Sequence, residues 1–182
     1  LVREAEAAHR DADTCLNVTS GALAIYLAFN DNLLLAAWMV ILAMVFDFFD
    51  GFAARLLNVK SDMGKELDSL ADMVSFGVVP AILAHFLIRS TFSVFDAGET
   101  YYWVERVLSA VPLLVPAFSA YRLAKFNLDA RQTHSFIGLP TPSNALFWVM
   151  LVFCFYCQHD FFVMMWSNPW LLAVSSLVLA IL

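Results

Sequence analysis

The sequence of 182 residues has few charges and few cysteines for its length. Only 14% of the residues are Asp, Glu, Lys or Arg, whereas 62% are hydrophobic, against about 45–50% apolar residues in a soluble globular domain. The few basic residues form no patch of the kind that binds nucleic acid, so no nucleic-acid partner is expected. This hydrophobicity exceeds what one water-soluble core can bury and predicts a membrane protein.

The three cysteines are too few to predict a disulfide framework. Cys154 and Cys157 form a C-x-x-C pair, a spacing that also occurs in redox and zinc sites. The pair lies inside an apolar run, without a second pair elsewhere in the sequence. We therefore interpret these two residues as buried, inert thiols.

Six apolar runs approach the length of about 20 residues that spans a bilayer as a helix. They cover residues 14–30, 33–57, 66–90, 104–128, 143–159 and 161–182. Lipid offers backbone groups no hydrogen-bond partner, which favours helices. The sequence predicts an all-α integral membrane protein of about six transmembrane helices, with one domain over 14–182 after an N-terminal cytoplasmic arm, 1–13. The chain starts at Leu1 rather than Met and its last run stops at Leu182, so truncation at the C-terminus is expected.

Basic residues flank alternate connections between these runs. On one side of the predicted bundle are Arg3, Arg10, Arg55, Lys60, Lys65, Arg122, Lys125 and Arg131. On the other side are mainly acidic residues, namely Asp31, Asp96, Glu99 and Asp160. The positive-inside rule places the basic side in the cytoplasm.

Four carboxylates lie within or beside the second and third runs. Asp47 and Asp50 are three residues apart, and Asp68 and Asp72 are four apart. Both spacings place the two side chains on one face of a helix. Because the connection between the two helices is short, we expect them to be antiparallel neighbours whose carboxylates face each other at the cytoplasmic end.

Carboxylates at membrane depth are costly and usually mark a functional site. Oxygen ligands without nearby His or Cys favour hard divalent cations over zinc. Two such ions held by four aspartates would suit a diphosphate, because they could neutralise both the attacked phosphorus and the leaving oxygen. Salt bridges to neighbouring basic residues are the structural alternative.

Small residues accompany the acidic ones. One side of the helix pair carries residues with little or no side chain, namely Gly51, Ala54 and Gly64. A bulky ligand could therefore approach the backbone on that side. Arg55 lies one turn beyond Gly51 and could reach a phosphate as a fixed cation. Ordinary helix packing would also explain the small residues, and anchoring at the membrane surface would also explain Arg55.

Together these positions form the pattern D-x-x-D-G-x-x-A-R-(x8)-G-x-x-x-D-x-x-x-D, which resembles the signature of the CDP-alcohol phosphotransferases. The eight matching residues are Asp47, Asp50, Gly51, Ala54, Arg55, Gly64, Asp68 and Asp72. Further stretches are similar to those of bacterial phosphatidylserine synthases of the Bacteroides type, namely Leu67–Pro80, Arg122–Asn127 and Phe136–Pro142.

The resemblance implies transfer of a phosphatidyl group from CDP-diacylglycerol to L-serine, giving phosphatidylserine and CMP. It implies that the four aspartates hold two divalent ions, Mg²⁺ or Mn²⁺ with Ca²⁺ as another occupant, and that Asp72 is the catalytic base. It also implies a six-helix, homodimeric protein of the bacterial cytoplasmic membrane, with its active site facing the cytoplasm.

The resemblance also implies roles for residues that bind the substrates. Gly51, Ala54, Arg55 and Gly64 would line the nucleotide site. Asn17 and Thr19 on the first helix would lie near it. The serine or phosphate site is expected at the basic stretch that ends the fourth run, and its candidates are Arg122, Lys125 and Asn127. A juxtamembrane basic anchor is the alternative interpretation of that stretch.

Two alternative functions remain open at this stage. One is another phosphotransferase of the same family, with glycerol phosphate or inositol phosphate as acceptor. The other is an aspartate-lined cation transporter. A transporter would carry its carboxylates midway through its spans and often shows inverted repeats, whereas here the carboxylates crowd one end of two consecutive helices.

Overall fold

A computed structural model of the chain describes residues 2–57, 62–94, 102–128, 140–157 and 166–181. Within these ranges, the side chains of residues 2–11, 53–57, 62, 93–94 and 126–128 lie outside the description. All regular structure in the described ranges is helical. The elements in chain order are α1 (Val2–Phe29), α2 (Leu33–Leu57), α3 (Asp62–Asp72), a π-helical segment (Met73–Val78), α4 (Val79–Val94), α5 (Tyr102–Ala110), a 3₁₀ segment (Val111–Leu114), α6 (Val115–Leu128), α7 (Thr141–Tyr156) and α8 (Pro169–Ile181).

Four helical stretches are long and apolar enough to cross a membrane. They are Ala12–Phe29, Leu33–Phe52, Met63–Phe92 and Tyr102–Lys125. Helices α7 and α8 are apolar but shorter. The prediction of an all-α integral membrane protein is therefore confirmed, while the count of six spans stays a prediction.

The boundaries of several helices follow from local residue chemistry. Asp31 adopts a positive φ of 58° in the turn between α1 and α2, a conformation that Asp and Asn tolerate better than most residues. The side-chain oxygen of Asn32 then accepts a hydrogen bond from the backbone of Leu35 at the start of α2. Asn168 caps α8 similarly, through the backbone N–H of Trp170 at 3.0 Å.

Prolines account for the two irregular segments inside the longer rods. Pro80 cannot donate a backbone hydrogen bond, and it lies two residues after the end of the π-helical segment that links α3 to α4. Pro112 lies inside the 3₁₀ segment that joins α5 to α6. As a result α3–α4 and α5–α6 each form one continuous rod with a local change in helical pitch.

Contacts between the helices give their directions. The ring of Phe29 at the end of α1 packs on Phe86 in α4, while Gly21, earlier in α1, lies against Ser75, earlier in the rod of α3–α4, so α1 and α3–α4 run parallel. Trp38 near the start of α2 packs on Phe153 near the end of α7, with 5.2 Å between ring centroids. Because α7 also packs against the π-helical segment, α2 and α7 must be antiparallel.

These directions bring the four aspartates to one end of the bundle, which we call the carboxylate end. The opposite end is marked by Phe29, Phe86 and the pair Arg89–Glu105. Between the two ends the core is built from small residues of α1 and α2 and larger ones of the π-helical segment, α4 and α7, including Phe76, Leu83 and Trp148. Small side chains let α1 and α2 pack closely along their length.

Helix α1 packs against both α2 and α3, a contact that the sequence did not predict, while α2 and α3 bring their carboxylates together as expected. One expectation needs correction. Cys154 is half-buried and Cys157 is exposed, so the prediction of two buried thiols was wrong. Helix α1 begins at Val2 and runs through residue 13 without a break, and the division into an arm and a domain stays a prediction.

Candidate active site

Three aspartates converge at the carboxylate end. One carboxylate oxygen from each of Asp47, Asp68 and Asp72 lies within 4.8 Å of the other two. Asp47 comes from α2, whereas Asp68 and Asp72 occupy successive turns of α3. The spacing of four residues in α3 places both side chains on the face that meets Asp47, as expected from the sequence.

Asp50, which the sequence places on the same metal-binding face, lies one turn further along α2 and is not among the three carboxylates that converge within 4.8 Å. Its side chain is buried and accepts a hydrogen bond from the hydroxyl of Thr14 in α1. Thr14 is itself 2% exposed. The contact ties α1 to α2 and fixes the orientation of the Asp50 carboxylate, so Thr14 is a part of the site that the sequence analysis missed. A threonine on the same helical face as Asn17, three residues before it, was the available signal.

Asn17 places a buried carboxamide beside Asp72. The two side chains are close enough to interact electrostatically, but neither polar atom of Asn17 meets the geometry of a hydrogen bond to another described residue. Asn17 is 1% exposed. Its backbone carbonyl accepts a hydrogen bond from the hydroxyl of Ser75, at 3.1 Å, which fixes this turn of α1 against the segment after Asp72.

Gly21 explains why α1 can approach so closely. A Cβ atom at Gly21 would lie 2.5 Å from the hydroxyl oxygen of Ser75 and 3.1 Å from its Cα. No side chain fits there without displacing the backbone of the π-helical segment. Close contact at Gly21 therefore holds Asn17, one turn earlier, next to Asp72.

Gly51 lies in a different environment. Among the described residues, none lies within 4 Å of a Cβ atom at Gly51, and Gly51 itself is exposed. Gly64 is buried in the first turn of α3, one turn before Asp68. Thus open space adjoins Asp50 at Gly51, where the sequence analysis expects the nucleotide. The side chains of Ala54 and Arg55 lie outside the described residues.

The other predicted site residues are placed less centrally. Thr19 is exposed and its hydroxyl donates to the backbone carbonyl of Cys15, at 2.7 Å. It lies two residues after Asn17 and hence on another face of α1. Lys125 is exposed in the last turn of α6, and the side chain of Asn127 lies outside the described residues.

Arg122 reaches the carboxylate end from α6. A Cβ atom on Gly77 would lie 3.3 Å from Ser119, and Ala81 packs with Val115, so α6 runs antiparallel to the π-helical segment and α4. One turn beyond Ser119, this register places Arg122 at the level of Val74, just after Asp72. The guanidinium donates to the carbonyl of Ala180 in α8, at 3.1 Å.

Helix α7 adds a residue that the sequence analysis overlooked. Asn144 is 2% exposed, and its side-chain oxygen has no hydrogen-bond partner within the described ranges. A carboxamide inside an apolar stretch was a recognisable signal, since polar side chains in membrane helices are usually functional. Spacing along the sequence could not show which helices surround it.

The donor set suits a divalent cation. It consists of carboxylate oxygens only, which hard ions such as Mg²⁺ and Mn²⁺ prefer. One oxygen of Asp72 is buried and has no hydrogen-bond partner among the described residues. Three adjacent carboxylates repel one another unless a cation lies between them. The cluster could therefore bind a metal ion, in agreement with the expectation from the sequence.

The chain belongs to the CDP-alcohol phosphatidyltransferase family, whose family model matches residues 11–181. The match includes every residue of the aspartate signature and all of the site described above. The family assignment made from the signature is therefore confirmed.

Several curated relatives are named CDP-diacylglycerol–serine O-phosphatidyltransferase. The relative from Helicobacter pylori is 35% identical over 143 residues, which cover 78% of this chain and 54% of the relative. The relative from Bacillus subtilis is 35% identical over 160 residues, covering 88% of this chain and 77% of the relative. The relative from Methanocaldococcus jannaschii is 35% identical over 144 residues, covering 79% of this chain and 59% of the relative. This chain thus spans about half the length of the Helicobacter pylori protein.

Proposed function

We propose that this protein transfers a phosphatidyl group from CDP-diacylglycerol to L-serine, releasing CMP. The observation that carries the proposal is the convergence of Asp47, Asp68 and Asp72 in a member of the CDP-alcohol phosphatidyltransferase family. The relatives named for this reaction support serine as the acceptor.

The aspartates would hold the divalent cations. Asp47, Asp68 and Asp72 present converging oxygens, and Asp50, oriented by Thr14, adjoins them on α2. Two bound ions, Mg²⁺ or Mn²⁺, would supply positive charge to the diphosphate and to the departing CMP. The protein's own contribution is to keep the four carboxylates in place through the contacts of α1.

Asp72 is the proposed base for the acceptor hydroxyl. One of its oxygens lacks a hydrogen-bond partner among the described residues and can receive the proton. The serine oxygen then forms a bond to the phosphorus that carries diacylglycerol, and the bond from that phosphorus to the CMP oxygen breaks. Asn17, beside Asp72, would orient the carboxylate during this step.

The two substrates enter from different sides in this arrangement. Open space at Gly51 would accept the nucleotide, together with Ala54, Arg55 and Gly64. On the side of α6, Arg122 would bind the serine carboxylate, with Lys125 and Asn127 nearby. A guanidinium is suited to a carboxylate because its donors are planar and paired.

We further propose that the carboxylate end faces the cytoplasm. Lys65, Arg122 and Lys125 lie at this end, whereas Asp31 and Glu105 lie towards the opposite one. This distribution follows the positive-inside rule and gives CDP and serine access from the cytoplasm while the acyl chains stay in lipid. A homodimer is also predicted, and the mass of the detergent-solubilised protein would test it.

The decisive experiment is an assay of the purified protein with CDP-diacylglycerol and a panel of alcohols. We expect CMP release that requires a divalent ion and L-serine, and much less release with glycerol phosphate or inositol phosphate. Mass spectrometry of the lipid product should show phosphatidylserine. CMP release with glycerol phosphate but not with serine would show that glycerol phosphate is the acceptor. CMP release that persists in a chelator would contradict the metal mechanism.

A further inference from the structure

Asn144 is a buried polar residue that has no role in the proposed transfer reaction. Its side-chain oxygen is inaccessible and has no hydrogen-bond partner within the described ranges. Leaving such an acceptor unpaired costs about 1–3 kcal/mol, and most native buried polar groups avoid this cost. A missing partner that comes with a ligand would explain the arrangement.

The packing of α7 on α2 fixes the depth of Asn144. The rings of Trp38 and Phe153 are in contact, and the two helices are antiparallel. Asp47 follows Trp38 by as many residues as Asn144 precedes Phe153. Since all residues rise equally along a helix, Asn144 lies at the level of Asp47. Both belong to the sides of their helices that the bundle covers.

Asn144 and Arg122 approach the same segment from two helices. Helices α6 and α7 both pack against Met73–Val78, the segment that follows Asp72. Arg122 lies at the level of Val74, and Asn144 lies at the level of Asp47, whose carboxylate adjoins that of Asp72. No described residue of α6 or α7 lies within 4 Å of a Cβ atom at Gly51, where the nucleotide is expected.

We propose that Asn144 determines specificity on the acceptor side, where its side-chain oxygen accepts a hydrogen bond from the ammonium group of the amino alcohol. An amide oxygen can only accept, so its partner must be a donor. Of the donors that serine carries, the hydroxyl proton goes to Asp72 and the ammonium remains. The proposal rests on the proposed function, in which serine is the acceptor.

The test compares two acceptors that differ by the ammonium group. L-Serine and 3-hydroxypropionate share the hydroxyl and the carboxylate, and only serine carries the ammonium. Asn144→Leu keeps the branched shape of the side chain and removes both polar atoms. We expect this variant to lower kcat/KM for serine by about ten- to a hundredfold, the range for a hydrogen bond to a charged group. The kcat/KM for 3-hydroxypropionate and the KM for CDP-diacylglycerol should each change by less than about threefold.

Trp148→Phe is the matched control. Trp148 lies one turn further along α7 on the same buried side, and its indole nitrogen also has no partner among the described residues. This variant should keep the wild-type preference for serine. If both variants lower kcat/KM for both acceptors equally, displacement of α7 is the cause and the assignment of Asn144 is wrong. Asn144→Ala serves the same comparison if Asn144→Leu does not fold.

The outcomes also separate this inference from the proposed function. A wild-type protein that releases no CMP with serine overturns both. A wild type that uses serine, combined with an unchanged preference in Asn144→Leu, overturns the assignment of Asn144 alone. A higher KM for CDP-diacylglycerol in that variant would likewise contradict it, because Asn144 would then contact the nucleotide or its lipid.

Discussion

The two ends of the helix bundle differ in whether their polar side chains have hydrogen-bond partners. At the end opposite the aspartates, the ring nitrogen of the half-buried His85 donates to the carbonyl of Ser109, at 2.7 Å, and the hydroxyl of the buried Thr91 donates to the carbonyl of Ile88, at 2.7 Å. At the carboxylate end, buried atoms of Asn17, Asp72 and Asn144 have no hydrogen-bond partner among the described residues.

This difference is expected if the polar groups at the carboxylate end take the substrates and ions of the proposed reaction as partners. A paired hydroxyl in a helix satisfies itself locally and adds little beyond packing. An unpaired buried group costs about 1–3 kcal/mol, and three of them at one end of a small bundle are a substantial cost. The fold can sustain that cost where substrates and ions supply the missing partners.

The largest effect is expected from the carboxylates. Asp50→Asn and Asp68→Asn should each reduce CMP release by about a thousandfold or more, because an amide cannot neutralise a divalent ion as a carboxylate does. Both proteins should still insert and elute as folded proteins in detergent. Removal of divalent ions should abolish CMP release by the wild type, and adding the ions back should restore CMP release. Activity of either variant near the wild-type level would contradict the metal site.

Substitution of Gly51 tests whether the nucleotide binds beside this residue at the carboxylate end. Gly51→Leu should weaken CDP binding by about a hundredfold, since its side chain would occupy the space expected for the nucleotide, and should leave the melting temperature nearly unchanged. Gly21→Leu is the contrasting variant, because its Cβ would collide with Ser75, and it should lower the melting temperature by several degrees. Normal CDP affinity of Gly51→Leu would make Gly51 a packing residue only.

Substitution of Arg122 tests whether serine binds on the side of the carboxylate end that α6 covers. Arg122→Ala should raise the KM for serine by about ten- to a hundredfold, in the range for a lost charge-assisted hydrogen bond. The KM for CDP-diacylglycerol should stay near that of the wild type. If only the lipid KM rises, Arg122 binds the lipid phosphate and the serine carboxylate lies elsewhere. Titration of each substrate against the variant separates these results.

The smallest effect is expected at the far end. Glu105→Gln removes the exposed pair between Arg89 and Glu105, whose atoms are 3.3 Å apart. Exposed ion pairs contribute at most about 1 kcal/mol, so thermal stability should change little and CMP release should be unaffected. A large loss of activity in this variant would show that the two ends are coupled and do not act independently.

The sequence predicted the carboxylate cluster because spacing along a helix determines which residues share a face. Asp68 and Asp72 meet Asp47 as their spacing indicates. Spacing does not reveal which helix covers that face. The role of α1 between α2 and α3, the bond from Thr14 to Asp50 and the position of Asn144 all depend on packing between distant segments.

The same limitation applies to the residues placed away from the centre. The family resemblance implied that Asn17 and Thr19 both lie near the nucleotide site, yet two residues along a helix point in different directions. Asn17 lies beside Asp72, whereas Thr19 bonds to its own helix. The π-helical segment after Asp72 was also unforeseen, since Pro80 alone does not specify how a helix adapts to it.

The contacts of α1 have a consequence for how the protein is made. Thr14, Asn17, Asp47, Asp50, Asp68 and Asp72 all belong to the first three helices. A nascent chain that has reached the end of α3 therefore carries every carboxylate of the cluster and the helix that orients them. Arg122 and Asn144 are synthesised later. Biogenesis in the membrane thus delivers the ion-binding half of the centre first, and α6 and α7 must dock against an assembly that already bears concentrated negative charge.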